Sequence, residues 1–184
     1  MANLPKDCIE PAPPFAFSAV DYFGPWYIKE GRCEVKRYGV LSTCLASRAV
    51  HLVVARSLST DLFLNAYRRF VGRRGPVQQL RSDECTNFVG ARNELQQELV
   101  KRNCDWVDFK TNVPEASHMG GEWERQLRTV RNVLASFLTR HAAQLDDKTL
   151  RTFMVEAEAI VNCRPLTFDT INSSQMPEPL MPNH

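Results

Sequence analysis

The chain has 184 residues, 43% of them hydrophobic and 24% charged, with a formal net charge of +2. That length suits one domain with a real core, and the balance excludes both a disordered polyelectrolyte and an overall polycation, so a nucleic-acid surface has to be a local patch. No apolar run is long enough to span a membrane, residues 1–14 lack the apolar centre of a signal peptide, and the six cysteines (8, 33, 44, 85, 104, 163) and four histidines (51, 118, 141, 184) show neither CxxC pairs nor zinc-finger spacing. The expectation is an intracellular protein, nuclear or cytoplasmic, with reduced cysteines.

Prolines 5, 11, 13 and 14 mark residues 1–14 as an extended leader. Residues 15–20 read as a strand ending at Asp21, with Gly24-Pro25 as the break. Residues 37–45 and 49–55 read as two strands of a hairpin, linked by Ala46-Ser47-Arg48. Their imperfect alternation suits a sheet covered on both faces. Ser59-Thr60-Asp61 is an N-cap cluster, followed by Phe63, Ala66, Tyr67, Phe70 and Val71 at helical spacing. Gly72, Gly75 and Pro76 end that helix. Residues 77–82 form a short strand delivering Asp83, residues 89–102 a helix, and residues 105–109 a fifth strand. After a loop at 110–121, Trp123, Leu127, Val130, Leu134 and Phe137 define a helical stripe. A last helix spans about 147–163, with Leu150, Phe153, Met154, Ala157, Ile160 and Val161 on its stripe and Asp146 or Asp147 as cap. Pro165, Pro177, Pro179 and Pro182 make residues 165–184 a linker-like tail. The order gives a mixed α/β domain over residues 15–164, a central five-stranded sheet flanked by helices.

Three acids stand in distinctive settings. Asp21 lies in Val-Asp-Tyr-Phe-Gly-Pro, Asp83 in Ser-Asp-Glu-Cys-Thr-Asn-Phe and Glu124 in Met-Gly-Gly-Glu-Trp-Glu-Arg. Carboxylates at strand ends and one helix start can converge, because neighbouring strands lie about 4.8 Å apart. Oxygen donors of that kind suit hard divalent cations and phosphodiester chemistry. Each aspartate taken alone also fits a turn-starting residue. Glu124, Arg128 and Arg131 stand at i, i+4 and i+7, one row bordering the apolar stripe. That row can carry an acid and phosphate-binding cations in one groove, or a plain surface Glu–Arg pair. Arg68, Arg69, Arg73, Arg74 and Arg81 form one basic cluster, and Arg125, Arg128 and Arg131 another.

Together these motifs resemble the catalytic core of retroviral and retrotransposon integrases, the DDE polynucleotidyl transferases, and among them the BEL/Pao retroelement integrases. Val20-Asp21-Tyr22-Phe23-Gly24-Pro25, Arg37-Tyr38-Gly39, Ala46-Ser47-Arg48-Ala49-Val50-His51-Leu52 and Leu58-Ser59-Thr60-Asp61 carry the resemblance. So do Thr86-Asn87-Phe88-Val89-Gly90-Ala91, His118-Met119-Gly120-Gly121 with Trp123-Glu124-Arg125, and Val161-Asn162-Cys163-Arg164-Pro165-Leu166-Thr167. It implies an RNase H-like fold and an enzyme that binds DNA and catalyses phosphodiester cleavage and strand transfer. It implies that Asp21, Asp83 and Glu124 hold two Mg²⁺ ions, with Mn²⁺ as a substitute, and that Arg125, Arg128 and Arg131 bind DNA. It also implies a homodimer or higher homo-oligomer, which the apolar residues of the 60–71 and 147–163 helices would join.

Two departures stand out. Members of that group place a glycine two residues after the second aspartate, where this chain has Glu84-Cys85, and Glu122 occupies a position the family keeps apolar. The sequence reads as the core alone, and the expectation is that neither the family's zinc-binding module nor its C-terminal domain is included in it. These features raise an alternative: a catalytically decayed or domesticated core that only binds nucleic acid or protein. A nuclease acting on RNA–DNA hybrids, the other reading of such a fold, fits the Ser-Asp-x-x-Thr-Asn-Phe and Gly-Gly-x-Trp-Glu-Arg motifs less well.

Overall fold

A computed structural model describes residues 11–82, 97, 108–111, 117–141, 145–165 and 181–182, with side chains omitted at 109–111, 117–123, 140 and 141. Among the described residues five strands form one mixed sheet: β1 (Phe17–Glu30), β2 (Cys33–Cys44), β3 (Val50–Ala55), β4 (Gln79–Ser82) and β5 (Asp108–Thr111). Their spatial order is β3-β2-β1-β4-β5. The first three run as an antiparallel meander, while β4 and β5 join in parallel. The described residues also hold helices α1 (Thr60–Arg74), α2 (Ser117–His141) and α3 (Asp147–Asn162).

Alternation along the strands sorts side chains onto two faces. On one, Val20, Val40, Val53 and Ala55 meet Phe63, Leu64, Ala66, Tyr67 and Phe70 of α1. On the other, Phe23, Leu41, Leu52 and Val54 meet Leu127, Val130 and Leu134 of α2 and Leu150, Phe153, Met154 and Ala157 of α3. Burying a side chain of this size contributes about 1.5–3 kcal/mol, so two such layers dominate the stability. The covered faces explain the imperfect alternation of the β2–β3 hairpin.

Several boundaries differ from the sequence reading. β1 does not end at Asp21. It runs on to Glu30, with a register shift between Phe23 and Trp26. Proline lacks the N–H a ladder needs, and the Gly24-Pro25 pair is accommodated as a bulge rather than as a stop. Gly39 faces Phe23 across the ladder, and a Cβ there would stand 2.3 Å from the Phe23 ring. A glycine at 39 is therefore what lets that ring lie over β2. Helix α1 passes through Gly72 and closes at Gly75, whose φ is 93°. Helix α2 starts at Ser117, inside the stretch read as a loop. Strand β5 begins at Asp108, and residues 105–107 lie outside the described set, as does most of the 89–102 helix.

Helix α3 behaves as expected at its start: Asp146 caps it, accepting from the Thr149 N–H at 2.7 Å. Its stripe holds except at Ile160, which is 52% exposed, with Val155 at 59%. On α1, Phe63, Leu64, Ala66, Tyr67 and Phe70 are buried, Leu62 and Val71 are partly buried, and the exposed positions carry Arg68, Arg69 and Arg73. Exposed large apolar side chains are therefore found on α3 and, among the described residues, not on α1. Arg37 is buried between Glu30 (2.9 Å) and Asp147 (2.8 Å), tying α3 to the meander.

Candidate active site

Asp21 sits within β1, half-buried, and its Oδ1 accepts a hydrogen bond from the Tyr22 backbone N–H at 2.7 Å. Its face of the sheet follows from its neighbours. Phe23, two residues on, and Leu41, its ladder partner across β2, both belong to the layer formed with α2 and α3. Side chains at i and i+2 share a face, as do directly paired residues. Asp21 therefore belongs to the α2 side of the sheet. Tyr22 takes the opposite side, against Phe63, and burial pushes its phenol well above the usual range.

Glu124 is on that same α2 side. It is exposed, three residues before the buried Leu127. It lies two turns inside α2, because the helix begins at Ser117. The charge at a helix N-terminus acts only over the first turn, so the helix dipole does not account for an acid here. Arg125, Arg128 and Arg131 are exposed, while Leu127, Val130 and Leu134 are buried. The row of Glu124, Arg128 and Arg131 beside a buried stripe is thus realised.

Asp83 and Glu84-Cys85 lie outside the described residues, as does the side chain of Glu122. The last described residue before Asp83 is Ser82, whose ladder partner is Val20, the residue before Asp21. Among the described residues no group of three acids, histidines or cysteines is arranged to hold a metal. Of the expected ligand set, the described part is two carboxylates on one side of the sheet. Their oxygen chemistry fits a hard divalent cation.

Sequence reading passed over a polar joint beside this region. Gln126, two residues after Glu124, is buried on α2, and its Oε1 accepts a hydrogen bond from Arg164 Nη1. Arg164 Nη2 donates to the Arg48 carbonyl at 2.6 Å, in the β2–β3 turn. Arg48 holds a left-handed backbone, φ 59°. Burial, and then repulsion from Arg48, lowers the Arg164 pKa. The available signal was a lone glutamine beside the apolar stripe of α2.

Comparison with solved structures supplies the fold. The chain aligns with a chain of the simian T-cell lymphotropic virus intasome in complex with PP2A regulatory subunit B56 gamma, at TM-score 0.64 and 13% identity, covering 91% of this chain and 58% of that one. It aligns with the HTLV-2 integrase catalytic core domain in complex with magnesium, dimeric form, at TM-score 0.63 and 16% identity, covering 86% and 94%. The trimeric form of that domain gives TM-score 0.58 at 16% identity, covering 82% and 86%. The fold is RNase H-like, the fold of integrase cores. No family model and no curated protein matches the chain.

Proposed function

We propose that this chain is the catalytic core of a BEL/Pao-type retroelement integrase, binding DNA and catalysing metal-dependent cleavage and strand transfer. The observation that carries the reading is the placement of Asp21 and Glu124 on one side of an integrase-like sheet, with Ser82 laddered to Val20 so that β4 ends beside the Asp21 position. The HTLV-2 integrase core structures in complex with magnesium support a divalent cation. Asp21, Asp83 and Glu124 are the residues that would hold it. A metal pair there supplies activation of the attacking oxygen and charge neutralisation at the leaving one.

The chain's own side chains do the rest. The Tyr22 N–H holds one Asp21 oxygen in place. Arg128 and Arg131 extend from Glu124 along an exposed row that matches a phosphate backbone, and Arg125 adds a third cation beside it. In the first step water attacks a DNA phosphodiester and the 3′-oxygen leaves. In the second, that 3′-hydroxyl attacks a target phosphodiester in line and the target strand's 3′-oxygen leaves, so one P–O bond replaces another. Self-association, on this reading, uses α3, which exposes Val155 and Ile160.

Glu84-Cys85 and Glu122 favour a second reading, a decayed or domesticated core that binds without cutting. A strand-joining assay on a branched oligonucleotide with Mg²⁺ or Mn²⁺ separates the two. Products that require the metal support the enzyme, and DNA retention without products supports the binding module.

A further inference from the structure

The motif Val161-Asn162-Cys163-Arg164-Pro165 is not absorbed by the proposed chemistry, yet two of its side chains make long-range contacts. Asn162 holds the edge strand β3. Arg164 reaches Gln126 of α2, on the side of the sheet where Asp21 and Glu124 stand. Its guanidinium is half-buried and joins three elements: the end of α3, Gln126 on α2 and the Arg48 carbonyl in the β2–β3 turn. That turn is itself laced to the start of β1, where the Leu45 N–H donates to the Phe17 carbonyl at 2.9 Å.

We infer that Arg164 is a positioning residue for Glu124, acting through Gln126, an inference that rests on the integrase reading. The physical case has three parts. First, both acceptors are neutral, and no carboxylate shares this guanidinium among the described residues. A half-buried cation held only by neutral acceptors contributes little to stability, so a purely stabilising role would be better filled by an apolar side chain. Second, the packed layer restrains α2 weakly along and about its axis near Glu124. Leu127 and Val130 make non-directional contacts, whereas a hydrogen bond to Gln126 is directional. Third, the fork of arginine spans two acceptors at once, which the single ammonium of lysine does not reproduce. Gln126 and Glu124 are two residues apart on one helix, so a turn of α2 that releases Gln126 carries Glu124 with it. A displacement of about 1 Å in a reacting constellation costs on the order of 10²-fold in rate.

The experiment compares the whole chain with Arg164→Lys, Gln126→Leu and Gln126→Glu. It reads Mn²⁺ affinity by water-proton relaxation, kcat and KM for strand joining, and Tm. Positioning predicts that Arg164→Lys and Gln126→Leu lower kcat at least tenfold and weaken Mn²⁺ binding, with KM for DNA within twofold. Gln126→Glu, which still offers an oxygen to the guanidinium, keeps kcat and Mn²⁺ affinity near wild type. If Arg164→Lys and Gln126→Leu lower Tm while kcat and Mn²⁺ affinity stay within twofold, the joint is merely structural and the inference is overturned. If the wild-type chain neither binds Mn²⁺ nor joins DNA, the integrase reading falls first and the inference falls with it.

Discussion

The side-chain amide of Asn162 completes the hydrogen bonding of Val50: its Oδ1 accepts from the Val50 N–H and its Nδ2 donates to the Val50 C=O, both at 2.8 Å. One turn earlier, Glu158 accepts from the Leu52 N–H at 2.8 Å. Helix α3 thus supplies, at i and i+4, what a sixth strand would supply to the exposed edge of β3. Unpaired edges template aggregation, and proteins cover them. Replacing Asn162 by Leu leaves two buried backbone groups unpaired, at about 1–3 kcal/mol. Thermal unfolding should show Tm lowered by roughly 2–10 °C. An unchanged Tm would mean that water satisfies Val50 equally well.

Glu158 also adds a pH dependence. Its carboxylate lies 3.2 Å from His51 Nδ1 and 2.5 Å from Arg74 Nη2. Burial raises its pKa, but the His51 hydrogen bond and charge, the Leu52 N–H and Arg74 outweigh that and hold it below the ordinary value. A depressed carboxylate stabilises the fold above its unfolded pKa, and that contribution is lost as pH falls through the folded one. Acid titration of stability should therefore show a loss below the ordinary glutamate range that Glu158→Gln abolishes. Identical acid profiles for the two proteins would rule this out.

Much of this fold was legible because its signals are local. The β2–β3 hairpin, the α1 stripe from Phe63 to Phe70 and the Asp146 cap all follow from patterns within a few residues. What was misread depends on partners far away in sequence. β1 continues past Gly24-Pro25 because β2 pairs with it on both sides of the bulge. Gly39 matters through Phe23, and Arg164 through Gln126 and Arg48, none of which periodicity can join. The side of the sheet for Asp21 and the two-turn setback of Glu124 likewise needed the packing of α2.

The exposed row on α2 makes a distinct prediction for DNA binding. Each phosphate contact contributes about 0.9 to the slope of log K against log salt. Arg128→Ala with Arg131→Ala should weaken duplex binding at low salt and reduce that slope by up to about 2. A slope that does not change would place the DNA elsewhere.

Self-association should respond to α3 and not to α1. Ile160→Glu, on an exposed apolar position, should shift sedimentation toward monomer, while Arg68→Glu should not. The reverse pattern would assign the interface to α1.

Glu84-Cys85 predicts an activity below that of related cores. If position 85 requires positive φ, a non-glycine residue there costs on the order of 1–2 kcal/mol. Glu84→Asn with Cys85→Gly should raise metal-dependent joining. Equal activity in the two proteins would mean that the segment tolerates these residues.

Strand joining on a branched oligonucleotide with Mn²⁺, run in that Glu84→Asn/Cys85→Gly background, bears most directly on the integrase assignment. Asp21→Asn, Asp83→Asn and Glu124→Gln are each expected to reduce joining by at least about a hundredfold, the scale of losing one preorganised electrostatic group, with Tm within a few degrees of the parent. Joining that survives Asp21→Asn or Glu124→Gln, or that is absent from the parent at saturating Mn²⁺, would contradict it.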